Sequence, residues 1–461
     1  MTERGEGQIF ELLGRPGGIV LTREGFHHPA QPNGGGRAFT LYEDLTHLSL
    51  SSRALWVAAR RSSLPLRRSI FKVPGAPEAL LAALRACIAD LPGGSAQLAR
   101  MARVEERGSQ NAPLWATWGL IALCGVVFFL QLLIGRDLHA VGYYSGTLVA
   151  HGDLWRLFTA NLLHAFPSFP LHLVLNMLSA LALGVLVERT LGTPRTLCVM
   201  GAAGIASMLA CGLAGYPVVV GASGVVAGMV GAVVWLEFFR PEEVPAWRRI
   251  PRRPLVVLLV LSLLLDLVVP ILAGAAHLGG FVAGGVVAAL VGGRPVGSPR
   301  VPAAVKIASA AVVLVTGAAA VVAAAELWRS PDYVAHNLVR FAEFPEVPPV
   351  ELNNLAWMTA IDPDVTEAQR WAALALAERA VGETQRSEPT ILDTLAELQF
   401  QLGAVGPALL SIDEAIALSP FERYYHEQRR RFTGERDADD RPEPGMPWDF
   451  GPPEKGPGVT V

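Results

Sequence analysis

The chain alternates between polar segments and long apolar segments, and the apolar ones dominate its middle. Seven apolar stretches occur, most of them near the roughly 20 residues that a helix needs to cross a bilayer. They span residues 114–135, 171–187, 196–214, 218–236, 254–275, 277–293 and 303–325. This pattern predicts an α-helical polytopic membrane protein with a bundle of seven transmembrane helices.

The distribution of charge along the chain agrees with this prediction. The sequence has 38 Lys and Arg and 41 Asp and Glu, but only 19 of these 79 residues lie between Leu114 and Ala325. A soluble enzyme with a single core is excluded, because nearly uncharged apolar runs cannot form its surface. The net charge of −3 indicates no nucleic-acid partner.

Arginine placement predicts the orientation in the membrane. The segments before the first span, between the fourth and fifth, and before the seventh are rich in arginine, whereas the alternate loops hold only Arg136 and Arg156. The positive-inside rule then places the N-terminus in the cytoplasm and the C-terminal region outside it. We therefore expect a multi-pass protein of the cell (inner) membrane, with the lipid bilayer as one partner.

Residues 1–110 are predicted to form a small cytoplasmic α+β domain. Short β-type runs are separated by Gly, Asn, Ser and Pro, and one helix with apolar residues at the helical period follows them. The layout is similar to that of pleckstrin-homology domains, although no ligand-binding motif accompanies it. The predicted strands are Gly18–Thr22, Ala38–Tyr42, Leu45–Leu50, Leu55–Ala59 and Ser69–Val73.

Residues 327–432 are predicted to be an all-α region after the membrane domain at 111–326. Part of it is similar to a tetratricopeptide repeat, which implies a surface that binds a peptide or protein partner. Two repeats are fewer than the three usually needed, so a helical cap on the membrane domain is the alternative. The tail at 433–461 is expected to be disordered. The residues that fit the repeat pattern are Leu392, Leu395, Ala396, Gly403, Ala408, Ile412, Ala415 and Pro420.

Few polar side chains lie inside the apolar stretches, and each is a candidate for function because polar groups in hydrocarbon are costly. The second stretch carries His172 and Asn176 one turn apart, and Ala180 and Gly184 continue the same face. Small residues at that spacing allow another helix to lie close.

The fourth and sixth stretches each open with a glycine-rich motif. The fourth begins Gly221-Ala222-Ser223-Gly224, and the sixth begins Ala276-His277-Leu278-Gly279-Gly280. The pairs Gly224/Gly228 and Gly280/Gly284 predict that these two helices are close neighbours.

The expected topology brings polar side chains from three spans to one depth. Each alone has an ordinary explanation, since a membrane serine commonly bonds to its own helix and a histidine or asparagine commonly joins helices. Their shared depth favours a single site. The four residues are Ser223, His277, His172 and Asn176.

Together these motifs resemble the rhomboid family of intramembrane serine proteases. The resemblance covers about residues 115–293, and the added seventh helix is similar to the six-plus-one arrangement of part of that family. The matching elements are Gly-x-Ser-Gly at 221–224, Ala-His-x-x-Gly-x-x-x-Gly at 276–284, His-x-x-x-Asn at 172–176, Trp155-Arg156 and Glu188-Arg189.

The residue types indicate how such a site would work. A serine hydroxyl is a poor nucleophile and needs an adjacent base, for which His277 is the candidate. His172, Asn176 and the backbone N–H of Ser223 are candidates to stabilise the oxyanion. The resemblance implies the same roles, a dyad without a carboxylate, and membrane-protein substrates with a locally unstable helix. No metal or cofactor is expected.

Several residues keep two interpretations. Asp266 is either a bundle-facing carboxylate satisfied by a neighbouring helix or water, or a gating residue, and no aspartate is expected to orient His277. Ala227 stands where the family often has an aromatic ring that packs on the histidine, so that contact is missing or comes from elsewhere.

His164, in the loop before the second span, also has two interpretations. It either lines the water entry or faces headgroups. Trp155-Arg156 is expected to be structural, with Tyr143 and Tyr144 suggesting interfacial anchoring.

Two other classes of protein fit the sequence less well. A non-catalytic relative that binds membrane clients is expected to lack the serine or the histidine, and both are present. A transporter is expected to show interrupted half-helices, and none is evident.

Overall fold

A computed structural model describes residues 7–31, 34–60, 62–109, 113–165, 170–216, 218–268, 273–293, 300–363 and 365–442. They fall into two compact units, one of residues 1–129, 157–214 and 220–320, the other of 130–156, 215–219 and 321–461. The strands are β1 Ile9–Leu12, β2 Arg15–Leu21, β3 Gly25–Gln31, β4 Gly34–Leu41, β5 Leu45–Leu50, β6 Ala54–Ala59 and β7 Ser63–Arg67. The helices are α1 Ala76–Ala89, α2 Gly94–Ser109, α3 Trp115–Ile134, α4 Arg136–Gly142, α5 Gly146–Ala150, α6 Arg156–Thr159, α7 Pro170–Leu191, α8 Thr193–Leu213, α9 Ser223–Phe239, α10 Arg252–Val268, α11 Gly274–Val291, α12 Ala303–Arg329, α13 Tyr333–Glu343, α14 Pro349–Ala360, α15 Glu367–Glu383, α16 Pro389–Gln401, α17 Val405–Leu418 and α18 Arg423–Phe432.

The N-terminal part of the first unit consists of two antiparallel sheets and two helices. The sheets have the strand orders β1-β2-β3-β4 and β5-β6-β7, and apolar side chains from the strands and from α1 form a shared core. The α+β prediction is confirmed at this level. The expected strand Ser69–Val73 is wrong, because residues 68–70 form a 3₁₀ turn and the strand precedes them at β7.

Helices α3 and α7–α12 overlap the seven apolar stretches. Five of them, among the described residues, are long and apolar enough to cross a membrane, and α9 is a shorter apolar helix. The expectation of a multi-pass helical membrane protein is confirmed. Helix α10 differs from its prediction, because it ends at Val268 rather than at 275.

Helices α9 and α11 run parallel and touch through glycine backbones, as the sequence predicted. A Cβ atom on Gly280 would overlap the carbonyl oxygen of Gly224, and one on Gly284 would overlap the carbonyl oxygen of Gly228. Because both contacts pair residues in the same order, the two helices begin at the same end of the bundle.

Helix α7 is fixed to α3 at the opposite end from His172. The carboxylate of Glu188 accepts hydrogen bonds from the backbone N–H groups of Ala116 at 2.9 Å and Thr117 at 3.0 Å, so it caps the first turn of α3. A Cβ atom on Gly184 would overlap the side chain of Thr117. The small residue at 184 therefore permits the close helix contact that the sequence predicted.

The second unit combines the segment 130–156 with helices α13–α18. Asn337 donates to the carbonyl oxygen of Ala140 at 3.1 Å, and Arg340 donates to both oxygens of Asp153 at 2.8 and 2.9 Å. The expected tail lies mostly outside the described residues. Its first part reaches residue 442, and Arg441 there donates to Glu397 at 2.8 Å.

Candidate active site

Ser223 and His277 lie at the same end of the α9–α11 pair. Ser223 is the first residue of α9, and His277 is the fourth residue of α11. Their neighbours are in contact, since a Cβ atom on Gly224 would lie 3.5 Å from the carbonyl oxygen of Ala276. The two residues therefore share one level of the membrane domain.

His172 reaches the start of α9 from α7. A Cβ atom on Gly221 would lie 2.9 Å from Cε1 and 3.1 Å from Nε2 of His172. Gly221 also has φ +125°, a conformation that side chains rarely adopt. Glycine is required at this position on both grounds, and it lets the imidazole of His172 lie two residues before Ser223.

A hydrogen bond to its ring determines the tautomer of His172. Its Nδ1 accepts the backbone N–H of Ala165 at 3.2 Å, so in the neutral ring the hydrogen is on Nε2. The Nε2–H group is the one that faces Gly221.

Asn176 lies one turn further along α7 and is 6% exposed. Its side-chain nitrogen donates to the carbonyl oxygen of His172 at 2.9 Å. This bond uses one of the two amide hydrogens.

The expectation that no aspartate lies in position to orient His277 is wrong. Nδ1 of His277 lies 2.8 Å from Oδ1 of Asp266, and the two side chains are 22% and 10% exposed. Asp266 belongs to α10, and its contact with His277 puts the carboxylate at the level of the first turn of α11. A Cβ atom on Gly274 would lie 3.3 Å from Cβ of Asp266, which shows how closely the two helices approach.

The sequence left two interpretations each for Ala227 and His164, and the structure bears on both residues. Among the described residues no aromatic ring is in contact with His277, and its imidazole contacts the carboxylate of Asp266. His164 is fully buried and lies edge-to-face against His172 with ring centroids 5.1 Å apart. It therefore does not face headgroups, and it supports the ring of His172.

Trp155 and Arg156 lie in the second unit. Arg156 is fully buried and donates to Asp153 and to the carbonyl oxygens of Ala140 and Tyr143, each at 2.9 Å. Trp155 donates to the carbonyl oxygen of Val141 at 3.0 Å. The structural interpretation of this pair fits these bonds.

The anchoring suggested for Tyr143 and Tyr144 is wrong, because each ring is only 3% exposed. Burial also raises the pKa of Tyr143 to about 12. Both rings are part of the interior of the second unit.

The fold and the site define a multi-pass membrane protein whose polar residues converge at one end of three helices. Residues 151–294, about a third of the chain, match the family model described as Rhomboid domain.

Several curated relatives are similar in sequence to part of this chain. Rhomboid protease GluP of Bacillus subtilis (strain 168) is 31% identical over 189 residues, which cover 40% of this chain and 36% of the relative. RHOMBOID-like protein 5 of Arabidopsis thaliana is 31% identical over 165 residues, covering 33% and 50%. Putative rhomboid protease YdcA of Bacillus subtilis (strain 168) is 36% identical over 115 residues, covering 24% and 54%. The matches thus span between about a third and about half of these relatives.

Proposed function

We propose that the chain is an intramembrane serine endopeptidase that cleaves membrane-protein substrates within or beside a transmembrane segment. Ser223 is the nucleophile and His277 is the general base. The observation that carries the proposal is the register of α9 and α11, in which Gly224 meets Gly280, so that the serine and the histidine lie in the first turns of two adjacent helices. Relatives named as rhomboid proteases support it.

In this proposal Oγ of Ser223 attacks the scissile carbonyl carbon while His277 takes the hydroxyl proton. His277 then donates that proton to the amine as the C–N bond breaks, and a water molecule releases the acyl group from the serine. Nε2–H of His172, the second amide hydrogen of Asn176 and the backbone N–H of Ser223 stabilise the oxyanion. Gly221, Gly224, Gly280 and Gly284 permit the close approach of these groups.

We also propose that the site opens on the extracytoplasmic side. The arginine-rich segments put the N-terminal domain in the cytoplasm, and α9 and α11 begin at the opposite end of the bundle from it. Substrates then unwind locally before cleavage, because attack needs an accessible peptide carbonyl.

Replacement of the dyad tests the proposed function. Ser223→Ala and His277→Ala are each expected to lower cleavage of a reporter membrane protein in liposomes by a factor on the order of 10⁴ or more. His172→Ala is expected to cost about 10²–10³ in rate. Cleavage is measured by gel, and labelling with a fluorophosphonate is measured in parallel.

Ser309→Ala is the matched control, since Ser309 lies in α12 and bonds to the carbonyl oxygen of Lys306 in its own helix. It should retain both cleavage and labelling. Cleavage that persists in Ser223→Ala, or labelling that does not depend on Ser223, contradicts the proposal.

As a second function we propose that the C-terminal helices bind a peptide that carries a basic side chain. Helices α14, α16 and α18 line a cavity of about 290 Å³. Trp357, Tyr424 and Tyr425 give it aromatic walls, and Asp393 and Glu422 give it carboxyl groups. Aromatic faces together with the carboxylate of Glu422 suit a cation.

Calorimetric titration of the full-length protein in detergent tests this second function. An alanine-rich peptide with one arginine should bind more tightly than the same peptide with norleucine, and Trp357→Ala should weaken the arginine peptide about 10-fold. Trp371→Ala is the control, because Trp371 is 53% exposed on α15 and is not among the residues that line the cavity. The second function is rejected if the two peptides bind with equal affinity. It is also rejected if both tryptophan variants lose affinity for the arginine peptide to the same extent.

A further inference from the structure

The carboxylate of Asp266 touches the imidazole that the proposed function uses as its base. The contact joins Oδ1 of Asp266 to Nδ1 of His277 at 2.8 Å. It links residues 11 positions apart on separate helices, α10 and α11. We propose that Asp266 is a positioning residue of the active site, so that the site works as a Ser-His-Asp array rather than as a dyad.

The hydrogen bond fixes the tautomer of His277. An ionised carboxylate only accepts hydrogen bonds, so Nδ1 must carry the hydrogen. The lone pair is then on Nε2, the nitrogen that a base needs to accept the proton of Ser223. The carboxylate also fixes the ring plane, which is the role of the third member in arrays of nucleophile, base and orienting group.

The surroundings make His277 the partner on which Asp266 acts. The Asp266 side chain is 10% exposed. Among the described residues it pairs with His277 and with no Lys or Arg. A carboxylate that is largely removed from water interacts strongly with a neighbouring positive charge. Such a charge appears on the imidazole when it takes the serine proton, so Asp266 stabilises the step in which the Oγ–carbon bond forms.

The proton balance of the step is simple. The hydroxyl proton of Ser223 moves to Nε2 of His277 and later to the departing amine, while the proton on Nδ1 stays in its bond to Asp266. The aspartate accepts no proton at any point and remains a carboxylate throughout. No further reactant is required.

A purely structural role for Asp266 makes a different prediction. A bond that only joins α10 to α11 contributes to folding, and its loss lowers stability without a specific effect on the chemical step. A positioning role affects kcat, and it affects the rate at which a fluorophosphonate reacts with Ser223, because both depend on the basicity and orientation of His277.

The experiment compares Asp266→Asn, Asp266→Glu and Ser262→Ala in the full-length protein in liposomes. Asp266→Asn keeps the size of the side chain and removes its charge. We expect kcat for the reporter substrate and the fluorophosphonate labelling rate to fall together by about 10- to 10⁴-fold, with KM changed less than about threefold. Asp266→Glu restores a carboxylate and should recover part of both rates.

Ser262→Ala is the matched control, since Ser262 lies one turn earlier on α10 on an exposed part of the helix. It should keep both rates. If Asp266→Asn labels and cleaves like the wild type, or if it only lowers the melting temperature, Asp266 is structural and the inference fails.

The inference rests on the proposed function, and the same assay separates the two. If labelling and cleavage depend on Ser223 but not on Asp266, the inference fails and the proposed function stands. A wild-type protein that neither labels nor cleaves, while it remains folded, overturns the proposed function and the inference with it.

Discussion

Asp393 is a buried carboxyl group whose surroundings favour its protonated form. It lies on α16, is 5% exposed, and faces Glu397 one turn further along the helix. Burial and then the negative charge of Glu397 raise the pKa of Asp393 to about 7, although Gln428 donates a hydrogen bond to it at 3.4 Å. In the unfolded chain the pKa of an aspartate is about 3.9.

This difference predicts that the C-terminal helices lose stability as the pH rises. The folded state binds one more proton than the unfolded state between about pH 4 and pH 7, so the contribution of Asp393 is complete below pH 4 and lost by pH 7. The upper bound of the change is about 4 kcal/mol in the free energy of unfolding, at ~1.4 kcal/mol per pKa unit. Hydrogen exchange of α16 amides between about pH 4 and pH 7 measures it.

Asp393→Asn should flatten that dependence on pH. Asp413→Asn is the control, because Asp413 is 48% exposed in a surface ion pair with Arg429 and should leave the slope unchanged. An identical slope in Asp393→Asn and in the wild type would show that another group titrates.

At the residue scale the sequence predicts the members of the candidate site better than their partners. Ser223, His277 and His172 follow from motifs, because glycines and polar residues in apolar stretches are rare and their spacing is informative. The bond from Asp266 to His277 could not be found in this way. The apolar run continues to residue 275 and places Asp266 in mid-span, whereas α10 ends at Val268.

At the scale of elements, apolar length predicted where the membrane helices lie, and small-residue spacing predicted which of them touch. Gly224, Gly228, Gly280 and Gly284 form the α9–α11 contact because hydrogen is the only side chain that fits between the two backbones. The sheets were predicted less well. Strand β7 contains Pro65, which weakens its β signal although the strand is at the edge of its sheet, where proline is tolerated.

At the scale of the whole molecule, segments far apart in sequence share one interior, which no local pattern reveals. Glu351 on α14 is 5% exposed and accepts hydrogen bonds from the hydroxyl groups of Ser145 and Thr147. Burial raises the pKa of Glu351, and the two hydroxyl groups oppose that shift. Deleting residues 327–461 would remove these bonds, so point substitutions are the cleaner test of what the C-terminal helices do.

Removing the Glu351 carboxylate is expected to destabilise both segments of the second unit together. Glu351→Ala leaves the buried hydroxyl groups of Ser145 and Thr147 without their acceptor, which costs about 1–3 kcal/mol in the free energy of unfolding. Hydrogen exchange should show faster exchange in 146–150 and in 349–360. Glu414→Ala, which removes an ion pair with Arg386 that is 46% exposed, should change neither. Faster exchange confined to α14 would contradict the coupling, because a shared interior loosens both segments when a bond between them is lost.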